Sequence, residues 1–260
     1  MLETKELTVS AKGGVLLLQN VTLALEPGQA VGLTGQSGAG KTTLLRALLG
    51  LLNPGCRVTG GEIWIDDKEL SQLSKREQRQ LRGITLGFIP QNPMTSFDSR
   101  MKIGAQMAET LRLRADMSKA EAGRRSRMLL EELGIEEPDR VMNSLPGQLS
   151  GGQLQRVTVA LLLALKPKYI LADEPTSALD EENRRLLLDL LAKQSAGILF
   201  ISHDVAALKR LCSIVHVMES GQITESASMT ELLDHPARAW TKQFAAAWKS
   251  PDKEGWTWTD

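Results

Sequence analysis

Residues 35–42 read Gly35-Gln36-Ser37-Gly38-Ala39-Gly40-Lys41-Thr42, and this stretch decides the fold. It follows the apolar run 30–34, which is typical of a buried strand, and it leads into the strong helix formers of residues 42–51. A strand, a glycine-rich loop and a helix in this order predict a loop whose backbone N–H groups converge on one anion. The expected contacts to phosphate come from Gly35, Gln36, Ser37, Gly38, Ala39, Gly40, Lys41, Thr42 and Thr43.

Catalytic and metal-binding groups are expected in this loop and at the end of a second apolar run later in the chain. Lys41 can reach the β- and γ-phosphates of a bound nucleotide, and the Thr42 hydroxyl can ligate the Mg²⁺ that bridges them. Asp173 ends the apolar run 169–172, where a carboxylate would point toward that Mg²⁺. Glu174 reaches a different spot, where it can act as general base on the attacking water. An isolated Asp-Glu pair is more often a solvated turn, but the strand before it and the phosphate-binding loop favour catalysis.

The segment Leu149-Ser150-Gly151-Gly152-Gln153, called the signature segment below, begins a predicted helix. Ser150 can cap that helix, and two glycines let an anion approach the backbone closely. Residues Ser150, Gly151, Gly152 and Gln153 therefore form a second expected phosphate-binding surface. A capping role without a ligand is the alternative.

In this order, the phosphate-binding loop, the signature segment and the Asp-Glu pair resemble the nucleotide-binding subunits of the ATP-binding cassette (ABC) superfamily. The resemblance implies that Gln91 belongs to a Q-loop contacting Mg²⁺ and the attacking water. It implies that His203 is a switch histidine contacting the γ-phosphate, and that residues 177–180 form a D-loop crossing a dimer interface. It also implies that the signature segment contacts ATP held by the opposite subunit.

The resemblance covers nearly the whole chain and implies the fold class. We expect an α/β fold, namely a P-loop NTPase core of ABC type with an antiparallel β subdomain and a helical signature subdomain. The single ABC ATPase domain is expected to have residues 1–91 and 154–235 as core with the β subdomain. Residues 92–153 would form the helical subdomain, and residues 236–260 a C-terminal helix and tail.

Aromatic residues recur every four positions near the C-terminus, at Trp240, Phe244 and Trp248. This spacing places them on one helix face. The stripe packs either against the core of the chain or against a partner, and the core is the favoured alternative. Trp256 and Trp258 lie in the polar tail that follows.

Charge and composition limit the remaining possibilities. Lys plus Arg and Asp plus Glu both number 31, so the whole surface gives no argument for nucleic acid as a partner. The longest apolar stretch, residues 157–165, is far below the roughly 20 residues of a membrane span. The first six residues do not resemble a secretory signal, which favours the cytosol. Cys56 and Cys212 lack the spacing of a metal site.

Several segments resemble one branch of the superfamily, the dipeptide, oligopeptide and nickel importers. They include Gly60-Gly61-Glu62-Ile63, Ile89-Pro90-Gln91-Asn92-Pro93 and Asp234-His235-Pro236. The lack of a long Cys-bearing extension favours the shorter, nickel-type subunits, with nickel, a nickel chelate or di- and oligopeptides as cargo. The resemblance implies a peripheral location on the cytoplasmic face of the inner membrane.

The same resemblance implies partners. A second and different cassette would pair head to tail with this one, on two membrane permease subunits served by an extracytoplasmic substrate-binding protein. A soluble accessory ATPase, such as those of phosphonate-cleaving lyase complexes, is the alternative. A DNA-repair or translation ATPase would usually carry long insertions or two cassettes, and an inert nucleotide-binding module would not need Glu174 and His203.

One departure from the family concerns the adenine base. ABC subunits commonly stack it on an aromatic residue upstream of the phosphate-binding loop, yet residues 11–25 contain no Phe, Tyr or Trp. Aliphatic packing by Val15 or Leu16 is the expected replacement. We therefore expect weaker base selectivity or a lower affinity for ATP.

Overall fold

The computed structural model describes residues 1–249, which form ten strands and ten α-helices. The strands are β1 (Leu2–Ser10), β2 (Leu16–Leu25), β3 (Ala30–Thr34), β4 (Arg57–Ile65), β5 (Lys68–Glu69), β6 (Leu86–Ile89), β7 (Tyr169–Asp173), β8 (Gly197–Ile201), β9 (Ile214–Glu219) and β10 (Gln222–Ala227). The helices are α1 (Lys41–Leu48), α2 (Lys75–Ile84), α3 (Ile103–Ala115), α4 (Lys119–Glu132), α5 (Pro138–Asn143), α6 (Gly151–Leu165), α7 (Glu181–Ala192), α8 (Val205–Leu211), α9 (Met229–Asp234) and α10 (Ala239–Lys249). The predicted C-terminal tail, with Trp256 and Trp258, lies outside the described residues.

The chain divides into two compact units. The first unit contains Met1–Arg79 together with the described residues from Gly197 onward. The second unit is the continuous segment Gln80–Ala196. Each unit carries part of the expected chemistry.

The first unit contains the antiparallel sheet that the fold class predicts, with strand order β2-β1-β4-β5. Its second group of strands has the order β10-β9-β3-β8, in which β3 pairs in parallel with both β8 and β9. Parallel neighbours on both sides explain why β3 is apolar without alternation. The adjoining helix α1 buries Leu44, Leu45 and Leu48, each of which contributes about 1.5–3 kcal/mol by leaving water. The end of β3 is therefore held firmly.

The second unit pairs β6 in parallel with β7, with Leu86 opposite Tyr169. Its remaining length is mostly helical and includes α3, α4, α5 and α6, as expected for a signature subdomain. All five residues of β7 are buried, so the strand carries its last residue, Asp173, to the edge of an apolar layer. The expected α/β class with an antiparallel β part and a helical part is confirmed.

Helix α10 is attached to strand β10 through one carboxylate. Glu225 accepts hydrogen bonds from the backbone N–H groups of Ala237, at 2.9 Å, and Arg238, at 3.0 Å, and from the hydroxyl of Thr241. Burial opposes the charged form of Glu225, but these donors outweigh it and hold its pKa below the usual value. The carboxylate satisfies two N–H groups immediately before α10 and a hydroxyl in its first turn.

The aromatic stripe of α10 faces the protein at its first two positions. Trp240 and Phe244 are buried, and their rings stack with centroids 4.8 Å apart. Trp248 is half-buried. For Trp240 and Phe244, packing within the chain is the role that the structure supports.

Candidate functional site

The phosphate-binding loop joins β3 to α1 in the first unit. Lys41 is buried, and its ammonium group donates to the carbonyl oxygens of Gly35 at 2.5 Å and Gln36 at 2.9 Å. A side chain at Gly35 would overlap the carbonyl of Met218 in β9, so only glycine fits where the loop begins. The ammonium group is thus held inside the loop, whereas Gln36, Ser37, Gly38 and Thr42 are exposed.

His203 follows β8 and lies within electrostatic reach of Lys41. Burial of the ring, and secondly the positive charge of Lys41, lower its pKa to about 4. The imidazole is therefore neutral near pH 7. A neutral ring can donate from one nitrogen and accept at the other, which suits a hydrogen bond to phosphate without adding charge.

The aliphatic residues expected to replace an adenine-stacking aromatic are accessible. Val15, just before β2, is 60% exposed, and Leu16, the first residue of β2, is 49% exposed. This part of β2 lies beside the loop, because a Cβ at Gly40 would come within 2.9 Å of both the Leu17 carbonyl oxygen and the Leu18 side chain. An apolar surface is therefore available next to the phosphate-binding loop for a base to cover.

In the second unit, Asp173 and Glu174 end β7 in contrasting settings. Asp173 is buried, at 7% exposure, and Glu174 is half-buried. Glu174 has a φ of 45°, a left-handed conformation that costs a side chain such as Glu about 1–2 kcal/mol. Its carbonyl accepts from the N–H of Ser177 at 3.2 Å and from the Ser177 hydroxyl at 3.0 Å. Strain kept at a residue ill suited to it favours a functional role over a solvated turn.

The signature segment begins α6 as predicted. Ser150 accepts from the Gln153 N–H at 3.2 Å, and the Gln153 side chain accepts from the Ser150 N–H at 3.1 Å. This capping box leaves Ser150 and Gly151 exposed at the positive end of a 15-residue helix. The arrangement can cap the helix and still offer N–H groups to an anion.

Within the second unit, the signature segment and the D-loop residues lie together. Positions beside Gly151 and Gly152 are filled by Ala178, whose carbonyl oxygen would be 3.4 Å from a Cβ on Gly152. The buried side chain of Gln155 donates to the carbonyl of Pro175 at 3.1 Å. Gln155 thus ties α6 to the segment that follows Glu174. This role could not be predicted from the sequence, since no spacing pattern indicates the partner of a glutamine inside a helix.

Gln91 follows β6 and is exposed. The next turn is fixed locally, because the Asn92 side chain accepts from the Met94 N–H at 3.0 Å. The structure places Gln91 in the second unit, with Asp173 and Glu174, and places the phosphate-binding loop and His203 in the first.

The donor atoms expected to hold Mg²⁺ are the Thr42 hydroxyl, the Gln91 amide oxygen and the Asp173 carboxylate. All three are hard oxygen ligands, which fit Mg²⁺. In residues 1–249 no group of three or more His, Cys, Asp or Glu side chains could hold a metal ion. Mg²⁺ bound with nucleotide needs no such group, since phosphate oxygens and water complete its coordination.

The ABC transporter family model matches residues 18–177, which include the phosphate-binding loop, Gln91, the signature segment and the Asp-Glu pair. The chain belongs to the ABC transporter family. As an ABC ATPase it binds and hydrolyses ATP. Over the part of the chain that the structure covers, no helix is both long and apolar enough to cross a membrane.

Relatives of this ABC ATPase include peptide-transport proteins. The oligopeptide transport ATP-binding protein OppD of Lactococcus lactis subsp. cremoris is 37% identical over 87% of this chain and 68% of its own length. OppD of Bacillus subtilis is 36% identical over 98% of this chain and 74% of its own. A putative peptide import ATP-binding protein of Brucella ovis is 38% identical over 93% of this chain and 75% of its own.

Solved structures of ABC cassettes have the same fold. The dimeric structure of the bacterial ABC transporter cassette MJ0796 superposes with a TM-score of 0.79 and 30% identity, covering 88% of this chain and 99% of that one. The dimeric post-hydrolysis state of MJ0796 bound to ADP and Pi gives a TM-score of 0.78 and 29% identity over the same shares.

The strain at Glu174 yields a first prediction. Glu174→Gly removes the unfavourable left-handed side chain, so we expect the free energy of unfolding to rise by up to about 1 kcal/mol. ATP hydrolysis should fall by a factor of about 100 or more, since the carboxylate expected to act as general base is lost. Lys166→Gly is the matched control, because Lys166 has a φ of 47° at the end of α6 in the same unit. It should gain similar stability in urea titrations and keep its activity. Normal hydrolysis by Glu174→Gly would refute the assignment of Glu174 as base.

A second prediction concerns His203. Lys41→Met removes the neighbouring charge, so the pKa of His203 should rise from about 4 but stay below 6.5, because burial is the larger cause. NMR titration of the ring protons in nucleotide-free protein measures this, and the exposed Lys242→Met is the control. The unfolded chain protonates this ring near pH 6.5. Stability should therefore fall as the pH drops from about 6.5 to about 4, and His203→Gln should lose that component. A pKa unchanged by Lys41→Met would contradict the electrostatic link.

A third prediction concerns the base. Without aromatic stacking, the Kd values for ADP and GDP should differ by less than about tenfold in calorimetric titrations. Val15→Tyr offers a stacking ring and should tighten ADP binding, since such stacking is worth about 1–3 kcal/mol. Val58→Tyr, at another exposed strand position of the first unit, is the control and should change nothing. A strong adenine preference in the unaltered protein would contradict the expectation.

Proposed function

We propose that this chain is the ATP-hydrolysing subunit of a membrane importer for di- or oligopeptides or for nickel. The names of its relatives favour peptides as cargo. The observation that carries the proposal is the exposed, capped start of α6, since Ser150 and Gly151 offer a second phosphate-binding surface in addition to the loop of the first unit. A protein that only stored nucleotide would need one such surface.

The proposed chemistry assigns one task to each group. The phosphate-binding loop and Lys41 hold the β- and γ-phosphates of ATP, and Thr42, Gln91 and Asp173 supply oxygen ligands to Mg²⁺. Bound Mg²⁺ neutralises charge that develops on the phosphate oxygens. Glu174 accepts a proton from the attacking water as the water oxygen bonds to the γ-phosphorus. The bond between that phosphorus and the oxygen shared with the β-phosphate breaks, which releases ADP and inorganic phosphate.

His203 contributes a neutral hydrogen-bonding group to the γ-phosphate in this proposal. Because its ring is neutral near pH 7, it can orient the phosphate by a hydrogen bond without adding a second positive charge beside Lys41. Loss of the γ-phosphate removes that partner. His203 therefore distinguishes ATP from ADP.

The signature segment binds ATP held by a second cassette in the proposed mechanism. The dimeric cassettes with the same fold support this arrangement. The second cassette is a different chain in our proposal, and the pair acts on two membrane permeases supplied by an extracytoplasmic substrate-binding protein. The subunit then lies peripherally on the cytoplasmic face of the inner membrane, and nucleic acid is not a partner.

Purification from the native membrane tests the importer assignment. The chain is isolated with a mild detergent, and co-purifying proteins are identified by mass spectrometry. Two multi-span permeases, a second cassette and a binding protein are the expected result, and binding of peptides, Ni²⁺ and Ni²⁺ chelates to that binding protein then identifies the cargo. A set of soluble enzymes without permeases would overturn the proposal in favour of an accessory ATPase.

A fourth prediction separates the ligand role of Ser150 from its capping role. Ser150→Ala removes a cap and should cost about 1 kcal/mol of stability as well as most of the ATPase activity of the assembled complex. Ser118→Ala is the matched control, because Ser118 and Glu121 form the same kind of capping box on α4. It should cost similar stability but leave hydrolysis intact. Equal activity in the two variants would reduce the signature segment to a helix cap.

A further inference from the structure

We propose that the turn between β9 and β10, through Gly221, positions the end of the phosphate-binding loop for ATP. Gly221 lies about 180 residues from that loop along the sequence, and the family motifs do not include it. It is a positioning residue, because its contacts are with the loop backbone. The proposal goes beyond the importer assignment and does not depend on the cargo.

The turn is a tight two-residue hairpin connection at Ser220 and Gly221. Ser220 has a φ of 45° and Gly221 a φ of 80°, so both central residues are left-handed. Hairpin turns of this kind match the twist of the flanking strands and strongly prefer glycine at the second position. The turn therefore holds Gly221 in a defined place.

From that place, Gly221 joins two other segments by its own backbone. Its N–H donates to the carbonyl oxygen of Ala39 at 2.9 Å, and its carbonyl accepts from the N–H of Gln19 at 2.9 Å. Ala39 belongs to the phosphate-binding loop and is buried, and Gln19 belongs to β2. One residue thus connects the loop to the antiparallel sheet.

The hydrogen bond to the Ala39 carbonyl also fixes the direction of an N–H group of the loop, because both groups belong to one rigid peptide unit. The carbonyl of Ala39 and the N–H of Gly40 belong to the same planar trans peptide, so they point in opposite directions. Fixing the carbonyl toward Gly221 fixes the direction of the Gly40 N–H. That N–H lies at the start of α1, where a phosphate oxygen needs a donor.

No side chain fits between these segments. A Cβ on Gly221 would lie 2.7 Å from the carbonyl oxygen of Leu17, and one on Gly40 would lie 2.9 Å from the same oxygen. Gly40 and Gly221 also approach each other, since a Cβ on Gly40 would be 3.5 Å from the Gly221 Cα. A methyl group at Gly221 must push the turn away from β2, and the hydrogen bond to Ala39 moves with it.

Gly221→Ala tests the proposal, with Gly28→Ala as its matched control. Gly28 lies in a turn of the same unit with a φ of 78°, so both substitutions impose the same left-handed strain. A Cβ on Gly28 would meet nothing within 4 Å. Both variants should lose stability in urea titrations, and Gly221→Ala should lose more because its methyl group also meets the Leu17 carbonyl oxygen. Only Gly221→Ala should alter nucleotide binding.

We expect Gly221→Ala to raise the KM for ATP and the calorimetric Kd for ADP by at least about fivefold. The value of kcat at saturating ATP should change less than KM, because Glu174 is untouched. In Gly28→Ala both constants should stay within about twofold of the unaltered protein. Unchanged KM and Kd in Gly221→Ala would overturn the proposal and leave the turn a purely structural element.

A second variant covers the case in which Gly221→Ala does not fold. One glycine inserted between Ser220 and Gly221 lengthens the turn without adding a Cβ, while the β9–β10 pairing can persist. The N–H of Gly221 then loses its fixed position opposite Ala39, so the same rise in KM and Kd is expected. Binding equal to that of the unaltered protein would refute the proposal, and one glycine inserted after Gly28 is the control.

Discussion

Backbone N–H groups can hold a phosphate only if their directions are fixed before the anion arrives, and the first unit is built around that constraint. Strand β3 lies between two parallel neighbours, so its end cannot shift. The buried Lys41 ammonium group donates hydrogen bonds to the carbonyls of Gly35 and Gln36, which fixes the first part of the loop. The loop is thus a preorganised set of dipoles, and little reorganisation is needed when nucleotide binds.

In the second unit, hydrogen bonds fix the segment that follows Asp173 and Glu174 against helix α6. Glu174 is held in a left-handed conformation by the turn at Ser177. The same stretch of chain accepts a hydrogen bond from Gln155 through Pro175, so α6 cannot move without pulling on it. Gln155 thus links the helix that begins at the signature segment directly to the segment that follows the proposed base.

Contiguous features of the fold and site could be predicted, because each motif carries its chemistry within a few residues. Local sequence alone predicts the strand at Ala30–Thr34, the helix at Lys41–Leu48 and the cap at Ser150. Contacts between distant segments could not be predicted. Gly221 meets Ala39 and Leu17 across the fold, and one sequence shows only a glycine in a turn.

The aromatic stripe of α10 illustrates the same limit. Four-residue spacing puts Trp240 and Phe244 on one face, but spacing does not tell what that face covers. The structure decides between the alternatives by burying both rings.

The carboxylate of Glu225 has a consequence for how this cassette can be remodelled. It fastens α10 to the strand that begins immediately after Gly221, so the final described helix is part of the nucleotide-binding unit rather than an appendage. Polypeptide fused beyond this helix would start from a firm anchor. A regulatory module added there would be connected to the phosphate-binding loop through α10, β10 and Gly221. Loss of α10 would weaken the support that this loop receives from a distant part of the chain.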